Sequence, residues 1–95
     1  MGLTSLSDVK CQQLTASGAI TTDRCRIKAF TYRVVTAAEG IQFRRGGSGG
    51  TVVAEFELDI GTDTIYFQED GLLLTDSPYV TFGGANLAQV TVQYA

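Results

Sequence analysis

Thr51-Val52-Val53-Ala54-Glu55-Phe56-Glu57-Leu58-Asp59-Ile60 alternates between apolar and polar side chains almost without a break. On an extended chain Val52, Ala54, Phe56, Leu58 and Ile60 share one face, and Thr51, Val53, Glu55, Glu57 and Asp59 share the other. Successive side chains of a strand point to opposite faces, so the stretch predicts a strand with one dry side and one wet side. At helical spacing the same charges would scatter round the whole cylinder. The pattern recurs along the chain and no comparable amphipathic helix does, so the chain reads as all-β.

Turn signals fall at the spacing of roughly 8–12 residues that marks small sandwiches and barrels. Strands are expected over 9–14, 24–35, 41–45, 51–60, 64–68, 72–75, 79–82 and 87–94, with a further short one near 19–21. Asp70-Gly71 and Gly83-Gly84 suit the positive φ of tight hairpin turns. Gly46-Gly47-Ser48-Gly49-Gly50 reads either as an inserted flexible joint or as a hairpin tip, and the matched strands on either side favour the tip. The fold expected is one antiparallel β-sandwich or jelly-roll-like domain of about seven or eight strands over residues 9–95. Residues 1–8, small and polar, are expected to form a flexible N-terminal arm.

At 95 residues and 44% hydrophobic composition the chain has one modest core, and enough apolar side chains for an additional face buried by assembly. The net charge of −3 argues against a dedicated nucleic-acid binder. No apolar run is long enough for a membrane helix, and no basic-then-apolar start marks a secretory signal, so a protein that stays inside the cell or leaves by lysis is expected. Cys11 and Cys25, with no histidine in the chain, do not make an ordinary four-ligand zinc site. A disulfide needs neighbouring strands; two buried thiols are the preferred reading.

The run from Arg24 to Val35 changes phase. Arg24, Arg26 and Lys28 share a face, yet regular alternation would place Phe30, Tyr32 and Val34 on that same face. Either a bulge near Ala29-Phe30 flips the faces, or the strand is regular and those three residues form an apolar patch against a partner subunit. The patch is the preferred reading. The basic stripe Arg24, Arg26, Lys28 and the acidic stripe Glu55, Glu57, Asp59 look like counterparts on facing strands: ordinary cross-strand pairs on a wet face, or an inter-subunit seam. Arg44 and Arg45 sit beside the glycine loop, as an exposed hairpin end or as a contact for an acidic surface.

Catalytic chemistry has little support. The usual general base, histidine, is missing, and no Gly-x-Ser-x-Gly elbow occurs. The glycine loop lacks the Gly-Lys-Ser/Thr ending of a phosphate-binding loop and leads into a strand. Glu69-Asp70-Gly71 and Asp76-Ser77 match no calcium-loop spacing. No enzyme activity, cofactor or metal is expected.

Four segments carry a resemblance: the strand, glycine loop and strand of Gly40 to Phe56; Glu69-Asp70-Gly71-Leu72-Leu73-Leu74; Tyr79-Val80-Thr81-Phe82; and Ala88-Gln89-Val90-Thr91-Val92-Gln93-Tyr94. Their order resembles small structural proteins of tailed-phage virions, of the kind found in marine and cyanobacterial phages. The resemblance implies a β-sandwich or jelly-roll-like body and a virion location, after assembly in the host cytoplasm. It implies a capsid decoration (cement) role, or an accessory part of tail or neck. The implied partners are the major capsid protein, other virion subunits, and copies of the chain itself, a trimer among the options; neither nucleic acid nor membrane is a partner. It fixes no functional residue by position. The alternative is a tail-fibre receptor- or carbohydrate-binding module, with Tyr66, Tyr79 and Phe82 as sugar-stacking candidates.

Overall fold

The computed structural model describes residues 9–68 and 70–95. The expected N-terminal arm (1–8) and Glu69 lie outside the described residues. The elements are β1 (Lys10–Leu14), β2 (Gly18–Ala19), β3 (Cys25–Val34), β4 (Glu39–Arg45), β5 (Thr51–Leu58), β6 (Gly61–Tyr66), β7 (Leu72–Leu74), β8 (Tyr79–Phe82) and β9 (Leu87–Tyr94). Among the described residues there are thus nine strands rather than seven or eight, and no helix. The smallest is β2, two residues held against β8.

The strands form two antiparallel sheets. One runs β1-β9-β3-β6, with β7 beside β3 on the same edge as β6; the other runs β2-β8-β4-β5. Their inner faces meet in one core. Phe30 of β3 and Phe67, just past β6, meet Phe43 of β4 and Phe56 of β5. All six ring pairs stand 5.1–6.2 Å apart, in tilted or edge-on arrangements. Aromatic rings favour such geometries over flat face-to-face stacking. Ile27, Ile41, Leu58, Leu74, Val80, Val90 and Val92 fill the space around them.

The phase change in β3 is a bulge. Ile27 pairs with Tyr94 and Ala29 with Gln93, so Lys28 has no partner on β9. The extra residue flips the alternation, and both Ile27 and Phe30 end up with no exposure. The ladder then continues on the far side, where Arg26 and Ala95 exchange N–H to carbonyl bonds of 2.8 and 2.9 Å. Phe30, Tyr32 and Val34 are therefore core residues of their own chain, at 0, 8 and 1% exposure, and not a patch for a partner.

A second bulge explains a departure in β5. Phe43 pairs with Ala54 but Arg44 with Val52, leaving Val53 over. Ala54, Phe56 and Leu58 face the core as the alternation requires, whereas Val52 is 40% exposed. Ile60 falls beyond the strand, in the link to β6, and is 61% exposed.

The glycine loop is a docked hairpin tip. Gly46 and Gly47 adopt φ of 87° and 83°, and their N–H groups donate to the carbonyls of Asp76 and Ser77 at 2.8 and 3.0 Å. At Gly50 a Cβ would fall 1.8 Å from the Arg45 carbonyl oxygen, so no other residue fits this backbone.

Candidate functional site

Residues paired across strands share a face, so the ladders fix what each sheet presents outward. On the four-stranded sheet the outward rows are Ala19, Tyr79, Arg44 and Val52; then Thr81, Gln42 and Glu55; then Gly40 and Glu57. A hydrogen-bonded chain crosses three of these strands. Arg44 donates through Nε to Thr81 Oγ1 (3.1 Å), through Nη1 to the Gly50 carbonyl (2.8 Å) and through Nη2 to Gln42 Oε1 (2.7 Å). Gln42 Nε2 in turn donates to Glu55 Oε2 at 2.8 Å. The planar guanidinium, with several fixed donors, suits this bridging task. Glu57 stands opposite Gly40, which has no side chain to cover it.

The outer face of the five-stranded sheet is mostly uncharged and hydrogen-bonding. Gln13, Thr91, Thr31 and Thr64 form one row, and the Thr31 and Thr64 hydroxyls share a hydrogen bond of 2.8 Å. Gln89, Arg33 and Thr62 form the next. Tyr66, opposite Ala29, is 75% exposed. Arg26 pairs with Leu73, and the Lys28 ammonium donates to the Asp70 carbonyl at 3.1 Å, tying down the β6–β7 link.

These placements revise several expectations. Arg24, Arg26 and Lys28 precede or lie on β3, whereas Glu55 and Glu57 lie on β5 and Asp59 follows it. The two strands belong to different sheets, so the stripes are not cross-strand partners. Arg26 and the pair Glu55 and Glu57 occupy opposite outer sides of the molecule, because each strand turns its apolar residues into the shared core, while Asp59, in the link from β5 to β6, lies near Tyr32. Arg44 is half-buried within its own sheet's network rather than part of a free hairpin end, and Arg45 beside it is exposed. Alternation could have signalled Arg33 as an outward residue, once Thr31 and Arg33 are read as the polar positions between Phe30, Tyr32 and Val34. Gln42 and Thr81 as partners of Arg44 carry no local signal.

Both thiols are free, Cys25 buried and Cys11 exposed. Strand β9 lies between the two strands that carry them, which leaves the pair no route to a bond. The apolar surroundings of Cys25 push its thiol up to about 11. Burial, then the nearby Asp63 and Asp59 carboxylates, raise the Tyr32 phenol.

The three aromatics weighed for sugar stacking do not converge. Tyr66 is on the five-stranded sheet; Tyr79 faces outward on β8, and Phe82 faces inward, packed against the core. Phe82 and Leu87 instead wall an open cleft of about 410 Å³ between the Thr15–Ser17 link and the β8–β9 turn. The Phe82 N–H donates to Ser17 Oγ at 2.8 Å. Asp70 and Asp76, weighed as calcium ligands, lie in separate turns on either side of β7.

No known family model matches this chain. No curated protein matches it either. A solved structure described as "Bacillus endospore appendages form a novel family of disulfide-linked pili" is similar over 93% of this chain and 85% of that one, with 21% identity and a TM-score of 0.48. At that level of overlap, fold and role rest on the chain's own geometry.

Proposed function

We propose that this chain is a non-catalytic structural subunit that adheres to copies of itself or to sister subunits. The observation that carries the reading is the state of β5. It is an eight-residue edge strand paired only with β4 among the described residues. Val52 and Val53 on it, and Ile60 just past it, are 40, 37 and 61% exposed. A long open edge with apolar side chains is a ready template for association, and natural proteins usually cover or blunt such edges. Apolar contact would supply affinity, and the charged outer residues would set orientation.

The resemblance to tailed-phage structural proteins makes a capsid lattice the first sister surface to test, with the chain as a decoration or cement protein of the virion. The test is co-sedimentation of purified protein with empty capsids, alongside light scattering of the free protein. Saturable binding to capsids supports the decoration role. Self-association without capsid binding supports a subunit of another assembly. Absence of both capsid binding and self-association would overturn the subunit reading.

A second reading, a carbohydrate-binding module, draws on the 75% exposure of Tyr66 beside hydrogen-bonding threonines and glutamines. Saturable binding on a glycan array, lost in Tyr66→Ala with the fold intact, would favour it.

A further inference from the structure

We propose that the outer face of the five-stranded sheet is a docking surface for a second copy of this chain, which presents the acidic outer face of its β5. The inference rests on the subunit reading and names the surfaces that would meet.

The charge inventories of the two outer faces differ in sign. Outward positions on β1, β9, β3, β6 and β7 include Arg26 and Arg33 and no carboxylate among the described residues. Outward positions on the other sheet include Glu55 and Glu57. Their one cation, Arg44, is committed by three hydrogen bonds to its own sheet. Each face also carries an exposed apolar side chain, Tyr66 on the first and Val52, one row from Glu55, on the second.

The two patches lie on opposite sides of a two-layered body. A symmetric pair joined by one patch leaves the other unused. Front-to-back stacking uses both, and repeats the same contact at every step. Such heterologous contacts generate rings when the rotation closes and filaments when it does not. Exposed ion pairs are individually weak, so the charges orient the contact and the apolar side chains and sheet area hold it.

Charge reversal tests this directly. Glu55→Lys with Glu57→Lys makes both faces basic; Arg26→Glu with Arg33→Glu makes both acidic. Mass is read by sedimentation at about 50 mM salt and again at about 1 M, where exposed charges are screened. The expected result is that wild type associates at low salt and each variant alone stays monomeric. An equimolar mixture of the two variants regains assembly, because every contact again joins opposite charges. Glutamine replacements at the same four positions keep the test open if a reversed variant fails to fold: they are expected to weaken assembly about tenfold or more, with no rescue on mixing. Variants that assemble like wild type would overturn this surface while leaving the subunit reading in place. A wild type that never associates and binds no sister subunit would overturn both.

Discussion

The ring of Phe30 stands 5.1 Å from that of Phe43, one from each sheet, at the centre of the four-phenylalanine cluster that joins the layers. Phe30 has no exposure. Phe30→Ala should therefore cost about 3–5 kcal/mol, the range for emptying a buried aromatic site. Tyr66→Ala, at an exposed position, should stay within about 0.5 kcal/mol of wild type. Urea denaturation of the two variants checks the contrast. A Phe30→Ala protein of full stability would return that ring to the surface.

Lys28 sets the register of β3. Removing it should restore simple alternation and force one half of the strand, Cys25 and Ile27 or Phe30, Tyr32 and Val34, to turn its apolar side chains outward. The deletion should abolish cooperative unfolding. Lys28→Ala keeps the extra residue and loses only an exposed bond to the Asp70 carbonyl, so its cost should be below about 1 kcal/mol. Thermal melts followed by circular dichroism separate the two.

Gly71 and Gly47 share positive φ, 88° and 83°, but not surroundings. A Cβ at Gly71 would sit 2.4 Å from the Ile27 carbonyl oxygen, beside the bulge; at Gly47 it would meet nothing within 4 Å. Gly47→Ala should cost about 1 kcal/mol from backbone strain alone. Gly71→Ala should cost clearly more, since main chain must move. Equal midpoints in denaturant would contradict this packing.

The two thiols should behave differently. Ellman's reagent at pH 8 should titrate Cys11 at once and Cys25 only on unfolding. Cys25 also predicts a pH dependence. Its folded value is about 11 against an ordinary 9.0, so the unfolded chain loses this proton first. The stabilisation is full below pH 9 and disappears as pH rises to about 11, a change on the order of 2–3 kcal/mol. The raised Tyr32 phenol acts in the same direction. Cys25→Ala should flatten part of the alkaline decline in melting temperature.

Much of the fold is legible in the chain because a two-residue period survives in any half-buried strand. Ala54, Phe56 and Leu58 turn inward as the alternation requires, and the glycine-bearing turns fall between strands. What the period does not carry is the extra residue. The bulges at Lys28 and Val53 depend on what β9 and β4 do opposite, which no pattern within β3 or β5 itself carries. That one displacement turned Phe30, Tyr32 and Val34 from a supposed patch into the core. Strand order is equally non-local. Complementary charge suggested that β3 and β5 are neighbours, but their separation into two sheets follows from core packing, and charge alone is too weak to decide it.

Everything proposed for this β body turns on adhesion to like or sister subunits. The most direct measurement is sedimentation equilibrium of the wild-type chain at low salt, from about 10 µM to about 1 mM, a range that captures even weak self-association. Adhesion of this kind predicts a weight-average mass that climbs above 10.1 kDa with concentration and falls back when salt is added. A single 10.1-kDa species throughout, with no retention by capsid or other sister subunits, would contradict it.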